Sequence, residues 1–210
     1  MKLKREFFNR DTVVVAQELL GKYLVRKING KIVKFRITET EAYCGSKDLA
    51  CHASKGMTPR TKVMFGPPGH AYIYLIYGMY YCLNIVTEKE GYPAAVLIRA
   101  VGRGPAYRVP KECLGAHSGT PHTSGTQPQS FRAAGVPSRV TPTSLNLNGP
   151  GKLCRGLEID RGLDGVDVCK SKELWLQDGG KIEKIKIKKS KRIGVDYAGK
   201  WKDKLWRFYL

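Results

Sequence analysis

The chain has 210 residues, 42% of them hydrophobic, and 37 Lys and Arg against 18 Asp and Glu, a formal net charge of +19. That length and apolar content suit one domain with a real core, and no apolar run approaches the roughly 20 residues that span a bilayer. The start, Met1-Lys-Leu-Lys-Arg5, leads into Glu6-Phe-Phe8 rather than a signal-type apolar core, so the expectation is a soluble, intracellular protein without a membrane partner.

The cationic excess fits a polyanionic partner, although a basic, solvated surface would show the same count. The six cysteines, at 44, 51, 82, 113, 154 and 169, form no C-x-x-C pair and no zinc or iron–sulfur spacing. They read as reduced thiols, and neither a metal nor another cofactor is expected.

Asp11 is placed to cap a helix whose apolar positions Val13, Val14, Ala16, Leu19 and Leu20 keep helical spacing, with Gly21 placed to end it. Residues 22–28 and 31–43 then read as two strands joined by Asn29-Gly30, the pair that best tolerates the positive φ angles of a tight hairpin. The second strand carries Arg36-Ile-Thr-Glu39-Thr-Glu41-Ala-Tyr43, two carboxylates where a half-buried strand ordinarily holds apolar or β-branched residues. Alternation puts Ile37, Glu39, Glu41 and Tyr43 on one face. A carboxylate beside an aromatic wall in a semi-apolar setting is a catalytic arrangement. Residues 45–61 are polar and turn-rich, which places His52 and Arg60 on a loop or short helix behind that strand.

Gly66-Pro-Pro-Gly69 is a strong turn that launches two strands centred on Gly78. Five of the eleven tyrosines fall in this hairpin. Core tyrosines in a buried sheet are one reading; the central glycine favours a surface tip, Tyr77-Gly-Met79, which on a basic protein suggests a wedge between base pairs. The apolar run Pro93-Ala-Ala-Val-Leu-Ile-Arg99-Ala-Val is broken by one arginine, and a buried guanidinium calls for an anionic partner. That partner is Glu39 in a structural salt bridge, the catalytic carboxylate or its water, or both.

Residues 103–147 read as a mobile surface loop, rich in Ser, Thr and Pro, with no acidic residue between Glu112 and Glu158. Gly149-Pro-Gly-Lys152-Leu-Cys-Arg155 resumes structure as a turn entering a helix, whose amino end and two cations could hold a phosphate. The Lys-rich stretch 181–192 reads as an edge strand with a cationic outer face. The large apolar residues of 192–210 are expected to seal the core, and no internal repeat is present.

Thr40-Glu41-Ala42-Tyr43, His52, Met64-Phe65, Tyr74-Leu-Ile-Tyr77-Gly78-Met79-Tyr80 through Leu83-Asn84, Val96-Leu-Ile-Arg99-Ala100, Gly149-Pro-Gly-Lys152-Leu and Arg192-Ile-Gly194-Val195 resemble, in order and at similar spacing, the alkyladenine (3-methyladenine) DNA glycosylases. The resemblance spans nearly the whole chain; residues 103–147 depart from the family pattern. It implies a single α+β domain over residues 1–210, with a curved, mainly antiparallel sheet, flanking helices and a protruding β-hairpin. It also implies a base-excision-repair enzyme that flips a damaged purine out of double-stranded DNA and hydrolyses its N-glycosidic bond.

In that reading Tyr77 is the intercalating wedge, entering from the minor groove with Met79 supporting it. Tyr43, His52, Tyr74 and Asn84 form the base pocket, with Asn84 rejecting the 2-amino group of normal guanine. Glu41 activates the attacking water, completed by Arg99 and the Val195 carbonyl, while Lys152 and Arg155 touch the DNA backbone. Cationic bases such as 3-methyladenine and 7-methylguanine suit electron-rich walls; the neutral hypoxanthine and ethenoadenine need a proton from a donor the sequence leaves unassigned. The implied enzyme is monofunctional, with no pocket lysine acting as nucleophile, a monomer, and located with the genome, in the nucleus of a eukaryote or the cytoplasm and nucleoid of a bacterium. The rival from another class is a non-catalytic binder of damaged or bent DNA, which would need no Glu41; a ribosomal or RNA-associated protein would suit the charge but not the wedge and pocket.

Overall fold

Asn29 and Gly30 take left-handed φ angles of 48° and 77°, the backbone a two-residue hairpin requires, and they turn the chain between its first two strands. The structure, a computed structural model, describes residues 1–102, 147–180 and 186–210. The described elements in chain order are α1 (Arg5–Phe8), α2 (Thr12–Leu19), β1 (Tyr23–Ile28), β2 (Lys31–Cys44), β3 (Ala71–Ile76), β4 (Tyr80–Val86), β5 (Ala94–Gly102), α3 (Pro150–Gly156), β6 (Leu174–Gln177), β7 (Lys188–Ser190) and β8 (Arg207–Tyr209). The loop expected at 103–147 lies outside the described residues except for Leu147, as does the first part, 181–185, of the expected cationic strand.

The strands form one curled antiparallel sheet in the order β3-β4-β5-β2-β1-β6, with β8 joining β2 and β7 pairing with β8. The fold is thus the expected mixed α+β architecture. β2 is its axis. Along one edge it pairs with β5; along the other it pairs first with β1 and then, over Glu39–Glu41, with β8. The chain end therefore closes over the segment that carries the carboxylates. Phe208 of β8 is almost wholly buried, as expected for a residue that seals the core, whereas Trp201 and Trp206 are only half-buried.

Asp11 caps α2 by accepting the Val14 N–H at 2.9 Å. The buried face of that helix is Thr12, Val15, Ala16 and Leu19, the i, i+3, i+4, i+7 set, so the expected apolar stripe through Val13 and Val14 is corrected by one step of rotation, and Val14 is 41% exposed. Thr12 belongs inside because its hydroxyl bonds the Thr87 hydroxyl at 3.0 Å and a Glu88 carboxylate oxygen at 2.8 Å. Thr40 of β2 donates to the Ala16 carbonyl at 2.8 Å, which ties helix to sheet. No helix among the described residues is long and apolar enough to cross a membrane.

The predicted hairpin is present: β3 and β4 pair from Ala71↔Ile85 to Ile76↔Tyr80, with Tyr77-Gly-Met79 at the tip. α3 lies against β4 through Gly151, where an added Cβ would sit 2.9–3.0 Å from Tyr80 side-chain atoms. Gly151→Ala is therefore expected to overpack this contact and cost about 1–3 kcal/mol, read as a lower urea midpoint at unchanged m-value; an unchanged midpoint would mean that Tyr80 moves aside freely.

Candidate active site

Glu41 has no exposed side-chain surface. Taking a lone carboxylate out of water costs several kcal/mol, so the surrounding chain must supply partners, and it does. Oε2 accepts the Tyr43 hydroxyl at 2.8 Å, Oε1 accepts the Ile193 N–H at 2.9 Å, and the Arg99 guanidinium lies 3.3 Å from Oε1. Burial pushes the carboxyl above the ordinary carboxylate range; Arg99, the Ile193 N–H and the Tyr43 hydroxyl pull it back, and desolvation wins. Burial likewise holds the Tyr43 phenol well above its usual value, so Tyr43 is a proton donor to Glu41.

Arg99 reaches the carboxylates because two irregularities in the β2–β5 ladder offset one another. Ile37 pairs with Val101, Glu39 with Ala100 and Thr40 with Ile98, so Thr38 and Arg99 each stand opposite no partner and the register then resumes. Bulges re-aim side chains in this way. Arg99 Nε donates to Glu39 Oε1 at 2.8 Å, so the structural pairing with Glu39 and the pairing with Glu41 both hold.

Beside Glu41 opens a cavity of about 490 Å³, within the range of small-ligand sites. Its walls include Tyr43, His52, Tyr74, Asn84, Arg99 and Val195, all anticipated from the sequence, and also Tyr72. The His52 ring meets Tyr74 edge-on at 4.5 Å, and its Nδ1 lies 3.0 Å from the Tyr72 hydroxyl. Burial, with Arg60 and Lys55 nearby, pushes His52 down to about 4, so the ring is neutral at pH 7. The Asn84 amide is fixed by donating to the Tyr72 carbonyl at 3.2 Å. Val195 is buried, and its carbonyl accepts the Ala198 N–H at 2.9 Å, which leaves one lone pair of that oxygen for another donor.

At the hairpin tip Tyr77 has φ 52° and Gly78 φ 69°. Tyr77 is 81% and Met79 63% exposed, as expected of a projecting tip. Tyr77 also lines the cavity; Met79 does not. From α3 both Lys152 and Arg155 reach the cavity.

Three features escaped the sequence reading. Tyr72 shares the face of Tyr74 by strand alternation and could have been found that way. Tyr197, 69% exposed, joins the lining from the 3-10 segment Asp196–Asp203. The third is the pair Arg192–Asp48, with both side chains wholly buried: the guanidinium bonds both carboxylate oxygens at 2.5 and 2.9 Å and the Ala42 carbonyl at 2.9 Å, and sits 4.8 Å from the Tyr43 ring centre and 5.1 Å from that of Trp206. Arg192 thus braces the back of Tyr43 while the next residue's N–H holds Glu41. Nothing in the spacing of Asp48 and Arg192 signals that they meet.

Removing one partner of such a pair strands the other charge. Arg192→Met should lower stability by about 3–5 kcal/mol, and adding Asp48→Asn should restore part of the loss in urea melts; no restoration would sink the stranded-charge account. An NMR titration of the His52 ring should show a midpoint near 4 rather than the ordinary ~6.5; an ordinary midpoint would mean that the ring is solvated.

Comparison with known proteins bears on what this arrangement does. The family described as methylpurine-DNA glycosylase matches residues 6–210. A protein of Methanocella arvoryzae is 51% identical over 99% of this chain and 91% of its own length. One from Desulfitobacterium hafniense is 46% identical over 100% and 95%, and one from Legionella pneumophila 43% over 100% and 94%. All three are provisionally named 3-methyladenine DNA glycosylase. With the family pattern covering nearly every residue, the chain belongs to the methylpurine-DNA glycosylase family.

Proposed function

We propose that this DNA glycosylase, a single domain acting as a monomer on the genome, flips alkylated or deaminated purines out of double-stranded DNA and hydrolyses their N-glycosidic bond with a Glu41-activated water. The observation that carries this reading is the Glu41 carboxylate, buried, raised in proton affinity and held beside an aromatic cavity. A carboxylate kept partly uncompensated is a stronger base than a solvated one. It offers roughly four acceptor sites, three of which are taken by Tyr43, Ile193 and Arg99; the water takes the remaining one, with the Val195 carbonyl and Arg99 completing its shell. The same negative charge stabilises the oxocarbenium-like sugar as the bond to the base breaks.

Tyr77 enters the stack from the minor-groove side and fills the place of the extruded nucleotide, with Met79 supporting the tip, and unstacking costs a few kcal/mol per step. The base lies among Tyr43, His52 and Tyr74, a wall of neutral, electron-rich rings that attracts a cationic 3-methyladenine or 7-methylguanine. Asn84 on the cavity wall excludes the 2-amino group of guanine. Hypoxanthine and ethenoadenine, being neutral, need a proton before they leave. Lys152 and Arg155 take backbone phosphates.

Since Lys152 reaches the cavity, the monofunctional reading rests on water rather than its amine being the nucleophile. In single-turnover assays on duplexes carrying hypoxanthine or 3-methyladenine, Glu41→Gln should slow base release by about 10²–10⁴-fold with binding retained. Nicks should appear only after alkali, and borohydride should trap no covalent complex. Release that survives in Glu41→Gln, or trapping that depends on Lys152, would overturn the mechanism. Tyr77→Ala should slow release from duplex DNA far more than from single-stranded DNA; equal slowing would argue against a wedge.

A further inference from the structure

Glu39 Oε1 accepts two guanidinium groups at once, Arg99 Nε at 2.8 Å and Arg207 Nε at 2.5 Å. Arg207 stands on β8, opposite Glu41 in the register of β2 with β8. With Arg99 also 3.3 Å from Glu41 Oε1, the four charges alternate in a line, Arg207, Glu39, Arg99, Glu41, running from the last strand of the chain to the buried carboxylate. Along the line exposure falls away: 25% for the side chain of Arg207, 11–12% for Glu39 and Arg99, none for Glu41. Charges act more strongly where water is excluded.

We infer that Glu39 and Arg207 are positioning residues, Glu39 dividing the charge of Arg99 between two carboxylates and Arg207 offsetting Glu39, so that the C-terminal strand sets the charge balance at the reaction centre. This rests on the assignment of Glu41 as the base. Without Glu39, Arg99 would turn its whole charge on Glu41 and make it a weaker base. Without Arg207, Glu39 would keep only its share of Arg99 and leave more of its negative charge acting on Glu41.

The other groups that face Glu41 do not replace this pair. They are Tyr43 on β2, the Cys82 thiol on β4, and, through Tyr43, Tyr74 on β3 and Arg192. Cys82 is itself pushed up by burial and stays a neutral thiol. Arg192 is engaged by Asp48. Among the described residues Glu39 is the other carboxylate whose charge is felt at Glu41, where it raises the proton affinity, while Arg99 lowers it. Its reach to Arg99 goes with the paired irregularities at Thr38 and Arg99, and its reach to Arg207 with the pairing of β2 and β8.

The test is the pH profile of single-turnover release of 7-methylguanine, a base that leaves without added protonation, for wild type, Glu39→Gln, Arg207→Gln and the double variant. The rising limb tracks ionisation of Glu41. Glu39→Gln should move it to lower pH with a reduced plateau, and Arg207→Gln should move it to higher pH, each by about 0.5–1 unit, which is roughly a 3- to 10-fold rate change at fixed pH on the limb. The double variant should match Glu39→Gln alone, because Arg207 acts only through Glu39.

Limbs that stay in place while plateaus fall, or that both move the same way, would reduce the pair to a structural salt bridge and overturn the inference. If Glu39→Gln does not fold, Arg207→Gln decides alone, since its site is partly exposed. Wild-type release that does not depend on Glu41 would instead fail the proposed mechanism, and is read from Glu41→Gln in the same experiment.

Discussion

A fully buried carboxylate governs this structure. Glu41 is tolerated only because three separate stretches of chain converge on it: Tyr43 from its own strand, Arg99 from β5 and the Ile193 N–H from the segment before β8. Each contact needs a tertiary arrangement. β5 must pair with β2 in a register interrupted at Thr38 and Arg99, and the chain end must return to pair with β2 on the other side. Regular strands would have buried apolar residues here at a gain of about 1.5–3 kcal/mol apiece; the sheet instead houses two carboxylates and the arginines that answer them. Desolvation still outweighs those partners at Glu41, and that residual imbalance is what the proposed role as a base rests on.

The cavity beside it is controlled by the same exclusion of water. His52 is neutral and the Tyr43 phenol stays protonated because burial disfavours their charged forms, so the aromatic part of the wall offers π faces and hydroxyls, and the ions on the lining are the cations Arg99, Lys152 and Arg155. Behind the wall, the wholly buried Arg192 is neutralised by Asp48 at bonding distance on both carboxylate oxygens and braces Tyr43.

The hairpin tip follows a different rule. Two successive residues in the left-handed region match the twist of a tight hairpin. Glycine takes that conformation without cost, but an aromatic residue at φ 52° gives up of order 1–2 kcal/mol. Strain and 81% exposure in one large side chain make sense together when the side chain is presented to a partner rather than to the core. The tip stands on two paired strands and against α3, so its position is fixed while its surface is free.

Much of this was legible in the linear order. Asn29-Gly30, the Asp11 cap, the tyrosine hairpin about Gly78 and the lone arginine in an apolar strand each report a local requirement, of backbone angle, hydrogen bonding or charge, that a residue type expresses by itself. The conflict at Glu39 and Glu41 was legible too, because carboxylates on a half-buried strand contradict its pattern. The sequence was silent on the Arg192–Asp48 pair, on the opposed register shifts that aim Arg99, on Lys152 reaching the cavity past Gly151, and on Arg207 arriving beside Glu39. Local chemistry determined which residues demand partners; only the tertiary structure decided which partners they found, because contacts between residues 60 to 168 positions apart depend on strand pairing and chain return, which leave no periodic trace in either segment.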